Sequence, residues 1–352
     1  MQDKRSSHLD GGRSSAPSRD GTVPQPETTA ATAVTSVIVL SYNKFAETTG
    51  RCLDSLSGDP GFPIWDVVVV DNASDRKTRS SLAAAAEKYR SLRLILSETN
   101  RGFAGGMNLG MRHAQGDVFI LLNSDTIVPP GTIARIADTI RSRQEIGLLG
   151  PVSNAAGNEQ GIFTRSTHPR DAISEGIEFA NAAHGRLPIA AYRLDFCCVA
   201  LRRDVYDIVG ELDENFGLGY YEDFDYSLRV RNAGLELAIL EDAFIYHQGS
   251  ASFKELGKET RNLIARNKAL LLEKHGKGIK FPHSRDANLS VLNQYALMSE
   301  GSRPPPYRVL NRLALAKADR PRSWWKRWRH DRRVAQVEQS LQNLDSNPAR
   351  NL

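Results

Sequence analysis

Four short apolar runs near the start of the chain constrain its fold more than any other feature. They read "VTSVIVLSYN" (34–43), "WDVVVVDNAS" (65–74), "LRLILSE" (92–98) and "GDVFILLNSD" (116–125). The first, second and fourth are continuous and rich in Val, Ile and Leu rather than alternating, the pattern of parallel strands buried on both faces. Between them lie a helical stretch at roughly 46–57, an Ala-rich helix at 76–90 and a glycine-rich turn opening a helix at 100–114. Strand alternating with helix at this rhythm predicts a doubly wound, mostly parallel α/β sheet. In such sheets ligands bind at the carboxyl ends of the strands. The polar residues Ser41, Tyr42, Asn43, Asp71, Asn72, Asn100, Asn123 and Asp125 fall there.

The second half is less regular. Pro129–Pro130–Gly131 introduces a helix at about 131–143, and 151–190 reads as a long loop-rich stretch. A strand and short helix are expected over 193–210, and a helix over 220–234 with Gly234 past its end. Residues 235–249 read as strand, turn and short strand reaching His247, followed by a helix over 255–275. Residues 1–34 hold almost no large apolar side chains and are expected to be a disordered tail.

Bulk properties narrow the function. No run approaches the ~18 apolar residues of a membrane span, and no apolar leader is apparent, so a cytoplasmic location is expected. Cys52, Cys197 and Cys198 have neither disulfide-framework nor zinc-ligand spacing and read as core thiols. The formal charge is +5, but Lys317–Arg333 alone carries eight Lys/Arg against two Asp. The body is therefore near neutral, which argues against a nucleic-acid binder.

Several side-chain groups carry chemistry, each with a plainer alternative. The run "GFAGGMNLG" (102–110) matches neither a dinucleotide nor a Walker fingerprint. It suits backbone approach to a phosphate or a tight strand-to-helix turn. Asp71 suits a nucleoside acceptor or an Asx-turn. Asn123–Ser124–Asp125 suits a divalent metal held by oxygen ligands or a helix cap. Glu222, Asp223 and Asp225 crowd a helix start, where the dipole favours negative charge. Asp225 has Arg229 four residues on and is expected to form an ion pair. Glu222 and Asp223 lack such a partner, so one of them suits a general base. His247 suits a half-buried structural role or a metal site completed with Asp125. In "RPRSWWKRWRHDRR" (320–333), Trp324, Trp325 and Trp328 share a helical face ringed by Lys and Arg. That face suits an anionic membrane surface or, with the indoles buried, a domain contact.

Taken in order, "VIVLSYN", "VVVVDNASD", "NRGFAGGMNLG", "ILLNSD", "GELDENFGLGYYEDFDYSLRVRNAG" and "YHQGSAS" resemble glycosyltransferase family 2, closest to bacterial rhamnosyltransferase- and galactofuranosyltransferase-like members of GT-A fold. The resemblance covers about 36–275. It implies a nucleotide-sugar-binding half over 35–126, an acceptor and catalytic half over 127–275, and a C-terminal extension over 276–352. It places the nucleobase and ribose at Ser41, Tyr42 and Asn43, the nucleoside acid at Asp71 with Asn72 beside it, and the nucleotide-sugar loop at Asn100, Gly102 and Asn108. Asn123–Ser124–Asp125 takes the place of the family's DXD motif, with Asn for its first Asp and Asp125 as the principal ligand of Mn²⁺ or Mg²⁺. Asp223, with Glu222 beside it, matches the catalytic base, and His247 matches a histidine of the metal shell. The implied activity is inverting transfer from a nucleotide diphosphate sugar, with dTDP-rhamnose as first donor, to a lipid-linked or cell-surface polysaccharide acceptor. The loop-rich 151–190 stretch is expected to shape the acceptor side. A catalytically inactive nucleotide-sugar-binding or scaffold protein of the same fold is the alternative. The joint presence of Asp125, Asp223 and His247 speaks against it.

Overall fold

The computed structural model describes residues 34–182, 188–249, 257–299 and 302–345. The expected N-terminal tail, apart from residue 34, lies outside the described residues, as does the end of the "YHQGSAS" motif. The first four apolar runs form β1 (Thr35–Ser41), β2 (Asp66–Asn72), β3 (Leu92–Ser97) and β4 (Val118–Asn123). They are mutually parallel in the order β3–β2–β1–β4. Every residue of β2 is buried, as expected of a strand covered on both faces. Helices α1 (Thr49–Ser57), α2 (Arg76–Lys88) and α3 (Gly102–His113) make the crossovers. Helix α3 lies close on β1: a Cβ at Gly106 or Gly110 would stand 2.3 Å from Leu40 or Ile38.

After β4 the chain forms β5 (Thr126–Ile127), α4 (Thr132–Ser142), β6 (Ile146–Ser153), α5 (Pro169–Asn181) and β7 (Ile189–Ala190). It continues with β8 (Cys198–Arg202), α6 (Arg203–Val209), α7 (Glu222–Asn232), β9 (Glu236–His247) and α8 (Lys258–His275). The sheet runs β3–β2–β1–β4–β8–β6–β9–β5, with β7 beside β9. Strand β8 is antiparallel to both β4 and β6, whereas β6 and β9 are parallel. One inverted strand thus sits inside the sheet, and the short strands β5 and β7 run antiparallel to β9.

Three expectations change. The strand of the 193–210 segment starts only at Cys198, because the N–H groups of Leu194 and Asp195 go to the Ser227 and Gln160 side chains instead of the ladder. The 151–190 stretch contains the end of β6, α5 and β7. Residues 235–249 form one long strand, not two. The expected turn is a bulge, where residues 241–243 fall between the pairs Pro151↔Leu240 and Val152↔Phe244.

Helices α9 (Ser284–Leu297), α10 (Pro306–Ala318) and α11 (Trp324–Asp345) complete the chain. Leu289, Leu292, Tyr295, Leu313, Val334 and Val337 share one core with Ile38, Phe119 and Phe179 of the sheet half. Arg312, wholly buried, donates to the carbonyls of Glu159 and Gly161 and to Glu241 in the β9 bulge. Trp324, Trp325 and Trp328 pack edge to face on each other and stay 65%, 62% and 46% exposed, so the buried-indole alternative does not hold. No helix among the described residues is long and apolar enough to cross a membrane. The three cysteines are buried and unbridged, and burial pushes the Cys52 and Cys197 thiols up to about 12.

Candidate active site

Register sets the site. Pairing of Ser41 with Asp71 and of Leu40 with Asn123 aligns the carboxyl ends of β1, β2 and β4 along one edge. Because β8 is inverted, the residues that precede it reach that same edge, and Asn123 donates its backbone N–H to the Cys197 carbonyl at 2.9 Å. Antiparallel pairing of β5 with β9 sets Thr126 opposite His247. His247 Nε2 then lies 3.1 Å from an Asp125 oxygen. The first turn of α7 brings Glu222 and Asp223 from the other side. Asn123, Asp125, Asp195, Glu222, Asp223 and His247 all open into one cavity of about 850 Å³. Aromatic groups from Tyr220, Tyr221, Phe224 and Phe281 close its far wall.

On one side of the cavity, Asp125 and His247 are the two side chains that could hold a cation. Burial draws the His247 pKa down, but the hydrogen bond and charge of Asp125 outweigh it and hold the imidazole above its ordinary value. Asn154 fixes the strand end by exchanging hydrogen bonds with the His247 backbone at 2.9 and 3.0 Å. Asp125 is not a helix cap, since Gly131 takes that position before α4. Among the described residues no three His, Cys, Asp or Glu side chains converge as a cation cage. One carboxylate and one imidazole facing an open cavity still fit Mn²⁺ or Mg²⁺, which take few protein ligands and complete their shell with phosphate and water.

The acid half is held under strain. Gly217, Gly219, Tyr220 and Tyr221 all have positive φ, a conformation that costs non-glycine residues about 1 kcal/mol or more and concentrates at functional sites. Asn267 of α8 clamps this loop, its amide within 2.7–3.0 Å of the carbonyls of Phe216, Gly219 and Tyr220. Burial first, and the neighbouring Asp223 second, raise Glu222 to about 8, and its Oε2 has no hydrogen-bond partner among the described residues. Burial raises Asp223 to about 6 against the lowering charge of Arg193, with Asp195 pushing the same way as burial. The Asp223 side chain keeps 22% exposure, so a ligand in the cavity reaches it. Asp225 is structural: buried, it pairs with Arg229 at 2.9 Å, Lys274 at 2.6 Å and His275 at 2.8 Å.

Apart from Asn123, the residues expected on the nucleotide side are spread along the edge and do not line this cavity. Ser41 hydrogen-bonds Thr49, and Asn43 accepts from the Asp75 N–H. Tyr42 is exposed and Ser124 half-buried. Asp71 is buried, closes an Asx-turn to the Ser74 N–H and pairs with Arg79 at 2.9 Å. Asn72 joins Asn100 at 3.0 Å and accepts from the Arg101 N–H, shaping the turn into α3. Gly102 has φ +67°, and a Cβ there would fall 1.9 Å from the Gly217 carbonyl oxygen. Its place in the site is thus a close backbone approach to the loop that carries Glu222. Asn108 bonds the Leu212 backbone with both ends of its amide at 2.9 Å. Arg193, Asp195 and Asn267 escaped the sequence reading. The only signal of the first two was a pair of opposite charges, two residues apart, leading into an apolar run.

This fold and edge define a GT-A protein. Residues 36–209 match the family described as "Glycosyl transferase family 2". An O-antigen biosynthesis protein, RfbC, of Myxococcus xanthus is 25% identical over 225 residues, covering 61% of this chain and 17% of that protein. An uncharacterized glycosyltransferase of Haemophilus influenzae is 26% identical over 198 residues, covering 55% and 61%. The chain thus spans less than two thirds of the length of either relative. In fold it is similar to the crystal structure of GalNAc-T7 with UDP, GalNAc and Mn²⁺, with a TM-score of 0.53 at 15% identity over 68% of this chain and 48% of that one. Residues 36–209 thus form a glycosyltransferase family 2 domain.

Proposed function

We propose that the protein is an inverting, metal-dependent glycosyltransferase. It moves a sugar from a nucleotide diphosphate sugar to a hydroxyl of a lipid-linked or cell-surface polysaccharide acceptor. The observation that carries this reading is the convergence of Asp125 and His247 with Asp223 on one cavity at the carboxyl edge of the sheet. Asp125 and His247 are the residues that would hold the cation, which supplies charge neutralisation for the departing diphosphate.

Asp223 takes the proton of the acceptor hydroxyl while that oxygen bonds the anomeric carbon. The bond from that carbon to the diphosphate oxygen breaks, and the electron pair leaves with the nucleotide diphosphate. A single in-line displacement of this kind inverts the anomeric centre. Glu222, pushed up to about 8, is protonated at neutral pH and keeps a second negative charge away from the base.

The donor proposed first is dTDP-rhamnose, and a polysaccharide acceptor is in keeping with the O-antigen role named for the Myxococcus relative. Release of nucleotide diphosphate from a donor panel headed by dTDP-rhamnose, in Mn²⁺, tests the reading. Turnover with one donor, abolished in Asp223→Asn, is expected. Undiminished turnover in that variant would remove Asp223 from the mechanism.

The exposed indoles of Trp324, Trp325 and Trp328, beside Lys326, Arg329 and Arg332, support peripheral contact with the cytoplasmic face of a membrane. Each base near an anionic surface contributes about 1 kcal/mol. Flotation with phosphatidylglycerol vesicles is expected to recover the protein and to lose the triple Trp→Ala variant. Equal recovery of both would end the membrane reading.

A further inference from the structure

Asp223 sits in an acidic neighbourhood. Glu222 adjoins it on α7, Asp195 approaches from the segment before β8, and Glu159 lies behind Arg193 on the loop after β6. Tyr221 is the other titratable group that faces it. A carboxylate so placed, and largely removed from water, favours its protonated form, in which it accepts no proton. Arg193 is the cation set against it: Nη1 lies 3.6 Å from Asp223 Oδ2 and hydrogen-bonds Asp195 Oδ1. The guanidinium stacks over the Phe224 ring with 5.5 Å to the centroid. Asp195 is itself anchored, accepting from the Gly157 N–H at 2.8 Å and donating its own N–H to Gln160 at 2.7 Å. Gln160 is fully buried and tied to the Pro151 carbonyl at the end of β6.

We propose that Arg193 is a positioning residue for the catalytic base: held by Asp195 and Phe224, it keeps the Asp223 carboxylate ionised and directed into the cavity. This rests on the reading of Asp223 as the base. The Asp195 anchor sets how much of the cation Asp223 receives. Arg193 shared with Asp195 neutralises the pair without closing a tight salt bridge on the base, so an Asp223 oxygen stays open to an acceptor hydroxyl. A bidentate bond to Asp223 alone would lower its basicity further and block that oxygen.

The test is a carbon-13 titration of the protein labelled at aspartate carboxyls, with the Asp223 signal assigned by its loss in Asp223→Asn. Arg193→Gln is expected to raise the Asp223 midpoint by about one unit or more, and Arg193→Lys to restore most of it. Asp195→Asn removes a repelling charge and frees the guanidinium, so it is expected to move the midpoint down. These opposite directions separate the proposal from general loosening of the site, which would move both variants alike. An Asp223 midpoint unchanged in Arg193→Gln, or in Asp195→Asn should the first variant not fold, would overturn the assignment. The titration reads the charge of Asp223 whether or not it is the base. Retained turnover in Asp223→Asn would instead overturn the base reading alone.

Discussion

Two adjacent carboxyls, Glu222 and Asp223, open the same helix yet differ in environment, and that difference divides their roles. Asp223 keeps a solvent-facing side and the Arg193 cation at 3.6 Å, whereas Glu222 is buried and its Oε2 has no hydrogen-bond partner among the described residues. Asp223→Asn is expected to lower kcat by about 10²–10⁴ with nucleotide affinity retained, as removal of a general base does. The wild-type rate is expected to climb as pH rises through about 6, where Asp223 loses its proton. A rate that is flat between pH 5 and 7 would contradict this. Glu222 bears on stability. Its proton is held more tightly folded than unfolded, so stability is full below about 4.5 and declines as pH rises toward about 8. Denaturant unfolding of Glu222→Gln at pH 5 and pH 8.5 is expected to show a smaller decline than wild type. An equal decline would place the titration elsewhere.

At the scale of elements, the site depends on how a strained loop is held between α3 and α8. Gly102→Ala puts a methyl group into the Gly217 carbonyl and strains its own backbone. Asn267→Ala leaves three loop carbonyls without their donor. Each is expected to lose about 1–3 kcal/mol of stability and to lower turnover, Glu222 and Asp223 lying three to six residues from the loop glycines. Thermal unfolding together with donor turnover checks both effects, and a variant with unchanged turnover would show that the loop tolerates movement. Elements also mark what the sequence disclosed. The buried parallel strands were legible because their apolar runs are continuous, and their polar ends located Asp71, Asn123 and Asp125 on the working edge. Arg193 and Asp195 were not legible, because the inversion of β8 is a tertiary fact. An antiparallel strand brings its leading residues, not its trailing ones, to the edge where ligands bind. The bonding of Asn108 was hidden for a related reason: helical position does not reveal that both ends of an amide are taken by a backbone 104 residues away.

On the scale of the whole molecule, the C-terminal helices and the sheet half share a core, and the bulge in β9 ties them. Glu241 sits in that bulge and meets Arg312, Arg308 and Tyr295, all buried. Arg312→Met removes one partner of a buried carboxylate and is expected to destabilise the fold by about 3–5 kcal/mol in denaturant unfolding. A loss below about 1 kcal/mol would mean that Arg308 and Tyr295 together satisfy Glu241. The central claim is that the sheet edge is a metal-dependent nucleotide diphosphate site, and isothermal titration with dTDP and with UDP, with and without Mn²⁺, tests it most directly. One of the two nucleotides is expected to bind only with Mn²⁺, and Asp125→Ala is expected to abolish that binding. Failure of both nucleotides to bind, or binding indifferent to Mn²⁺ and to Asp125, would contradict the account.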